Sequence, residues 1–130
     1  MGSDPLEATT VYTKPCSVNV AAHDLGVTGA TLSNHGVNPK TKKRVLNDEN
    51  VAPLLPVMAT AGLYDNAGDW LYVTGTPAKS GVGGGILAVI PGKLGIGVVS
   101  PPLDSYGNSV RGQKAAIYII EQLGLNPYAQ

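Results

Sequence analysis

The glycine-rich stretch AKSGVGGGILAV, residues 78–89, contains the adjacent side chains most suited to chemistry. Lys79 and Ser80 are neighbours, and four glycines occupy the next five positions before an apolar run begins. A lysine beside a serine is compatible with phosphate binding or with nucleophilic catalysis. Glycines without a Cβ atom let a backbone approach a ligand closely. This stretch is therefore the first candidate for a functional site.

A phosphate-binding loop of the Walker A type requires Gly-x-x-x-x-Gly-Lys-Ser/Thr leading into a helix. Ala78 precedes the Lys79-Ser80 pair, and a strand pattern follows it instead of a helix. The sequence therefore excludes that nucleotide motif. A flexible linker is also disfavoured, because the glycines run directly into a buried strand pattern. Spacing alone leaves open a catalytic edge strand and a purely structural glycine-rich strand.

A serine nucleophile of the penicillin-binding type needs Ser-x-x-Lys on a helix, with the lysine amine one turn from the hydroxyl. No serine in the sequence has a lysine three positions later. Thr76 and Lys79 have the spacing, but Pro77 and the strand pattern are incompatible with one helical turn. The residues by themselves therefore supply no complete catalytic set.

Two further arrangements are weaker still. Cys16 and His23 lack an evident third group to orient the histidine, so a buried cysteine and a histidine at a helix start are the better interpretation. The two histidines and the scattered carboxylates show no metal-ligand spacing. We expect no metal and no cofactor.

Three helices are predicted around these residues. A helix is expected over 23–36 with Gly36 as its C-terminal stop, after an extended entry over 1–15. Asn47 should cap a second helix, broken so that Pro53 lies in the first turn of a piece ending near Gly62. The last helix is expected after Asn108 or Ser109, with Gly124 at its end. Its apolar stripe would consist of Val110, Ala116, Ile117, Ile120 and Leu123.

Three antiparallel strands are predicted between the second and the last helix. WLYVTG, residues 70–75, alternates in the manner of a strand. GGILAVIPGKLGIGVVS reads as two apolar strands joined at Pro91-Gly92. The sequence thus predicts a mixed α/β chain with an antiparallel sheet.

Composition limits the function classes. The chain has 130 residues, of which 43% are hydrophobic and 14% charged, so one domain with a packed core is expected. Nine basic residues balance nine acidic ones, which argues against nucleic-acid or membrane binding. The single cysteine excludes an internal disulfide, and the start shows no secretory signal, so we expect a soluble, cytoplasmic protein.

Several stretches together resemble the serine-dependent glutaminase family. They are, in the family's order, VYTKPCSVNV, DLGVTGATLSNHGVNP, RVL, VMATAGLYDNAGDW and PAKSGVGGGILAVIPGKLGIGVVSPPLDSYGNSVRG. The resemblance covers the chain from Asp4 to about Leu125. It implies an α/β fold of the α+β type, an antiparallel sheet flanked by helices as a partial β-lactamase/DD-peptidase-like domain. It also implies hydrolysis of L-glutamine to L-glutamate and ammonia through a serine acyl-enzyme.

The resemblance also assigns site residues. Tyr64 in GLYD matches the tyrosine that relays protons at the nucleophile, and Tyr12 matches one that lines the glutamine pocket. Val82 matches the residue whose backbone N–H forms half of the oxyanion hole, where one such donor contributes about 3 kcal/mol. Lys79, Ser80 and Gly81 correspond to the Lys-Ser/Thr-Gly box of the wider superfamily and are expected to support the site.

The departures from the family pattern concern what the chain does not contain. Ser-x-x-Lys, a further pocket tyrosine, and the Asn and Glu that hold the substrate are absent from the 130 residues. We therefore expect residues 1–130 to be the C-terminal part of a single glutaminase catalytic domain, inactive alone, with the missing N-terminal half as its partner. The alternative is a non-catalytic truncated homologue that acts as a binding or assembly module. The resemblance also implies a homo-oligomer.

Overall fold

The structure is a computed structural model that describes residue 2 and residues 4–129. The elements follow one another as five helices, a short 3-10 turn and a three-stranded sheet. In chain order they are α1 (Pro5–Cys16), α2 (Ala22–Ser33), α3 (Asp48–Ala61), the 3-10 turn (Tyr64–Asn66), α4 (Ala67–Thr74), β1 (Ala78–Ser80), β2 (Gly85–Ile90), β3 (Leu94–Val99) and α5 (Val110–Gln122).

The sheet is antiparallel, with the strands in the order β1-β2-β3. Lys79 pairs with Leu87 across the first two strands, and Ile90 pairs with Leu94 across the hairpin at Pro91-Gly92. Gly92 has a φ of +70°, which a glycine adopts without steric strain. The predicted hairpin is therefore confirmed.

Helices cover both faces of the sheet. Successive side chains of β2 point to opposite faces, so the strand contacts helices on both sides. Ile86, Ala88 and Ile90 pack with the buried residues of α4 and α5, including Trp70 and Ile120. On the opposite face Val89 packs with Leu32, Val51 and Met58 of α2 and α3. The fold is thus the expected mixed α/β arrangement, an antiparallel sheet flanked by helices.

Two glycines of β3 set the distance between α2 and the sheet. A Cβ on Gly95 of β3 would lie 2.1 Å from the Ala30 nitrogen, and one on Gly97 would lie 2.3 Å from the Ala22 oxygen. Backbone therefore touches backbone along this contact, which explains part of the high glycine content. The helix predicted over 23–36 is confirmed, ending slightly earlier.

The expected extended entry over residues 1–15 is wrong, because residues 5–16 form α1. The Asp4 side chain accepts a hydrogen bond from the Leu6 N–H at 3.1 Å, and Pro5 occupies the first helical position. Both are signals for a helix start, which the sequence prediction of an extended entry did not use. None of the α1 residues is buried.

The expected break in the second helix is also wrong. α3 runs without interruption through Pro53 and Pro56, and Asn47 flanks it without a side-chain capping bond. Both prolines are exposed, so the carbonyl groups that lose their partners lie on the side of the helix that faces solvent. Val51 and Met58 pack on the sheet from the other side and hold the helix in place.

The strand predicted over residues 70–75 is wrong as well, since these residues belong to α4 and its end. Ala67, Trp70 and Thr74 are buried at helical spacing, and the Trp70 Nε1–H donates to the Thr76 carbonyl oxygen at 2.9 Å. Gly75, with a φ of +64°, ends the helix. The first strand is Ala78–Ser80 instead.

α5 agrees with the prediction. The Ser109 hydroxyl accepts from the Gly112 N–H at 3.0 Å, so Ser109 is the cap. Ala116 and Ile120 are buried and Ile117 packs beside them, whereas Leu123 is exposed.

Candidate active site

Tyr64 and Lys79 meet where the 3-10 turn passes the end of β1. The Lys79 Nζ lies 4.8 Å from the centre of the Tyr64 ring, over its face. An ammonium group in this position is attracted by the ring. Tyr64 is 44% exposed, so the residue is open to solvent on one side. Two side chains that are 15 positions apart in sequence therefore form one candidate site.

The Lys79 amino group is held between two carbonyl groups. It donates to the Gly62 carbonyl oxygen at 3.0 Å and also to that of Ser80. Partial burial lowers the pKa of Lys79, because desolvation disfavours the charged amine. The amine is thus fixed in place and retains its position against the tyrosine ring.

Ser80 is buried and points back into the protein. Its Oγ–H donates to the Gly62 carbonyl oxygen at 3.3 Å, and its backbone N–H donates to the same oxygen at 3.0 Å. Gly62 permits this contact, because a Cβ there would lie 1.7 Å from the Ala78 oxygen. Ser80 therefore contacts the backbone of Gly62, directly after α3, as a supporting residue would.

The segment Gly81–Gly84 forms the turn between β1 and β2. The Gly81 N–H donates to the Gly85 oxygen at 3.0 Å and the Gly84 N–H donates to the Gly81 oxygen at 2.9 Å. Among the described residues, no acceptor pairs with the Val82 N–H. The Val82 side chain is 72% exposed. This amide is therefore free to bind an anionic oxygen.

An open cleft of about 420 Å³ lies along β1. Lys79, Ser80 and Gly81 line it, together with Cys16 and the segment 18–20 that follows α1. Tyr64, Val82 and Tyr12 are not among its lining residues. Lys79 is thus the residue that connects the cleft to Tyr64.

Tyr12 stands apart from the other predicted site residues. It lies on α1 and is 73% exposed. Its helix reaches the cleft only through Cys16 and the residues beyond it. The structure brings together Tyr64, Lys79, Ser80 and the Val82 turn, and it does not bring Tyr12 to them.

Sequence reasoning missed the polar residues that surround Tyr64. The Asn108 Nδ2 donates to the Leu63 carbonyl oxygen at 3.1 Å, and Asp104 accepts hydrogen bonds from the backbone of its own turn. The sequence treated this stretch as a loop. Asp104 followed three residues later by Gly107 is a turn signature that was available in the sequence.

Two classes of feature are not found in residues 2 and 4–129. No group of three or more His, Cys, Asp or Glu side chains is placed to hold a metal ion. No helix among these residues has both the length and the apolar character needed to cross a bilayer.

Comparison with known proteins extends over nearly all of the chain. The glutaminase family model matches residues 1–128. Glutaminase 2 of Yersinia pestis is 52% identical over 128 residues, which are 98% of this chain and 38% of that protein. A glutaminase of Colwellia psychrerythraea is 55% identical over 116 residues, covering 89% of this chain and 37% of its own length. The chain therefore spans about 40% of the length of the curated relatives it matches.

Solved structures give the same relationship. The probable glutaminase ybaS superposes with a TM-score of 0.94 at 52% identity, over 98% of this chain and 41% of that one. The Bacillus subtilis glutaminase YbgJ was solved as a covalent complex with 5-oxo-L-norleucine. It superposes with a TM-score of 0.92 at 29% identity, over 98% of this chain and 46% of that one. These neighbours have the β-lactamase-like fold, to which the sheet and helices described above correspond. With its sequence and its fold both matched along almost its whole length, the chain belongs to the glutaminase family.

Proposed function

We propose that residues 1–130 form the C-terminal part of a single glutaminase catalytic domain that hydrolyses L-glutamine to L-glutamate and ammonia. The reaction would proceed through an acyl-enzyme on a serine of a Ser-x-x-Lys motif, which the 130 residues do not contain. The observation that carries this proposal is the Tyr64–Lys79 pair beside the unbonded Val82 amide. Family membership supplies the substrate class.

Tyr64 is the proposed proton relay. Its hydroxyl can take the serine proton during attack and return it to the leaving ammonia. A positive charge beside a phenol stabilises the negative charge that develops on the oxygen when the proton leaves. The Lys79 ammonium, 4.8 Å from the ring centre, provides that charge. Lys79 therefore supports Tyr64 and does not act as the nucleophile's own base.

The Val82 N–H is the proposed donor to the oxyanion. Because no described acceptor occupies this N–H, it needs no rearrangement to bind the oxygen of the tetrahedral intermediate. Ser80 and Gly81 fix the turn from the β1 side, Ser80 through its bonds to Gly62. This division of roles makes Ser80 a structural residue of the site.

Tyr12 is proposed to contact glutamine once the rest of the domain is present. Support comes from α1, which has no buried residue in this structure and exposes Leu6, Val11 and Tyr12. Such a helix has apolar side chains available for packing against further protein. The same surface supports the alternative, a non-catalytic homologue that uses α1 for binding or assembly. We also propose a homo-oligomer on the basis of the family resemblance, and a cytoplasmic location because the single cysteine allows no internal disulfide.

The proton-relay role can be tested in a chimaera. The 128 matched residues of the Yersinia pestis relative would be replaced by the corresponding residues of this chain. In that protein Tyr64→Phe should lower kcat for glutamine by about 10²- to 10⁴-fold, the usual effect of losing an acid–base group. Tyr72→Phe is the matched control, since Tyr72 is 90% exposed on α4. Equal kcat values for the two variants would contradict the assignment.

A further inference from the structure

The backbone on both sides of Tyr64 is tied to the segment that begins α5. The Asn108 Nδ2 donates to the Leu63 carbonyl oxygen at 3.1 Å. The Asn66 Nδ2 donates to the Gln113 Oε1 at 3.0 Å. Leu63 immediately precedes the tyrosine and Asn66 lies two positions after it. Two hydrogen bonds to one neighbouring segment therefore bracket Tyr64.

Asp104 joins these two attachments. Its Oδ1 accepts from the Tyr106 and Asn108 N–H groups, each at 2.9 Å, and its Oδ2 accepts from the Gln113 Nε2 at 2.8 Å. Burial alone would raise the pKa of Asp104, but the hydrogen bonds from Asn108, Gln113, Tyr106 and Gly107 outweigh it and lower the pKa. The carboxyl is therefore ionised at neutral pH.

The charge at Asp104 sets the direction of every hydrogen bond that follows. An ionised carboxylate only accepts, so the Gln113 amide must turn its NH₂ group toward Asp104. The Gln113 oxygen then faces Asn66, whose side chain has to donate to it. The donor and acceptor order is thus transmitted from Asp104 through Gln113 to the 3-10 turn that contains Tyr64.

Tyr64 needs such attachments, because its backbone has a φ of +54°. A bulky residue adopts this left-handed conformation only when the surrounding structure enforces it. The same segment also passes close to the ring, since a Cβ built on Gly107 would lie 3.6 Å from the Tyr64 Cε2 and 3.7 Å from the Val82 Cγ1. One segment is therefore bonded to the backbone beside Tyr64 and lies near its ring.

We propose that Asp104, Gln113 and Asn108 are positioning residues that hold Tyr64 against Lys79 in the geometry needed for proton transfer. This inference rests on the proposed function, because it assigns the network to the same reaction. The three residues act through Tyr64 and need not touch glutamine. Their substitution should therefore affect the chemical step more than substrate binding.

The first variant is Asp104→Asn in the chimaera. An asparagine oxygen can still accept from Tyr106 and Asn108, but its NH₂ group faces the NH₂ group of Gln113. The Gln113 Nε2 also donates to the Ser109 carbonyl oxygen, but at 3.3 Å, which is longer than its 2.8 Å bond to Asp104. The mismatch therefore moves the Gln113 amide away from position 104 or turns it over, and either change disturbs its bond to Asn66. We expect kcat to fall by about 10- to 100-fold with little change in KM, since a small misplacement of a reacting group has an effect of this order.

The decisive variant exchanges the charge between the two positions. In Asp104→Asn/Gln113→Glu the asparagine NH₂ donates to the new carboxylate, whose other oxygen accepts from Asn66. The net charge and the donor and acceptor order between positions 104, 113 and 66 are restored, and only the longer 3.3 Å bond from position 113 to the Ser109 carbonyl oxygen is lost. The pair should therefore recover a large part of the kcat lost in Asp104→Asn. Gln113→Glu alone places two carboxylates face to face and should lower kcat. Asp69→Asn, an exposed carboxylate on α4, is the control with unchanged kcat.

The outcomes separate this inference from the proposed function. An unsubstituted chimaera that folds but releases no ammonia would contradict the proposed function. An active chimaera whose kcat is unaffected by Asp104→Asn, or is not recovered by the exchanged pair, would overturn the network. NMR of the 130-residue chain gives an independent readout. The Tyr64 ring resonances should shift in Asp104→Asn and return in the exchanged pair, and unchanged resonances in both variants would also overturn the proposal.

Discussion

Tyr64 and Lys79 illustrate what residue patterns reveal about a site and what they do not. Their contact joins positions in a 3-10 turn and in β1, and no spacing rule connects residues 15 positions apart. The residues alone excluded a phosphate loop but left a catalytic and a structural strand open. Lys79 was a candidate from its place beside Ser80, but only motif resemblance selected Tyr64 and Val82 as site residues. Asp104 and Gln113 escaped notice because their role depends on which amide groups fold against the tyrosine.

Lys79 gives a prediction about pH at this scale. In the folded chain, burial lowers the pKa of Lys79 below the ordinary value of 10.5. At pH values just below 10.5 the unfolded chain therefore binds more protons at Lys79 than the folded chain does, and the contribution of Lys79 to the free energy of unfolding rises with pH in this range. Urea unfolding of the 130-residue chain at a series of alkaline pH values should show this rise for the native sequence, and Lys79→Met should lack it.

Lys114→Met serves as the control, since Lys114 is exposed on α5. Its stability should follow that of the native sequence across the same pH range. Parallel curves for the native chain and Lys79→Met would show that the amine is not desolvated in the folded state.

At the scale of elements, the helices and strands were predicted best where the turn residues and the periodicity of apolar residues indicated the same element. The hairpin at Pro91-Gly92, the helix α2 and the Ser109-capped α5 were all predicted and are confirmed. α4 was missed because Tyr72 and Val73 favour strands locally, whereas burial of Trp70 and Thr74 decides in favour of a helix. A break in α3 was predicted because the low helix propensity of proline was given more weight than the packing of Val51 and Met58 in the core.

The packing of α2 on β3 makes a prediction about glycine. In Gly95→Ala the new Cβ would lie 2.1 Å from the Ala30 nitrogen and 2.2 Å from the Gly29 carbon, both backbone atoms. Since neither can move without shifting the helix, the free energy of unfolding should fall by about 3 kcal/mol or more. Chemical denaturation of the 130-residue chain measures this loss.

Gly68→Ala is the matched control within a helix. No atom lies within 4 Å of a Cβ at Gly68, and alanine is favoured over glycine in a helix by about 1 kcal/mol. This variant should be as stable as the native chain or slightly more stable. If Gly95→Ala left the free energy of unfolding equally unchanged, this result would contradict a direct contact between the α2 and β3 backbones.

At the scale of the whole molecule, the sheet is covered on both faces while α1 buries nothing. The family members that match this chain are about two and a half times as long, since it spans about 40% of their length. Fold class could be predicted from the sequence because the strand and helix patterns that build the covered sheet are local. The surroundings of α1 and Tyr12 could not, because no residue of α1 is buried and its packing therefore leaves no local pattern to read.

The central claim is that this chain contributes Tyr64, Lys79 and Val82 to a glutaminase active site. It is tested most directly by ammonia release from L-glutamine. The purified 130-residue chain and the chimaera with the Yersinia pestis relative would be compared at equal concentration. We predict that the chimaera releases ammonia and L-glutamate in equal amounts and that the chain alone releases none. A folded chimaera without activity, or ammonia release by the 130-residue chain alone, would contradict the account.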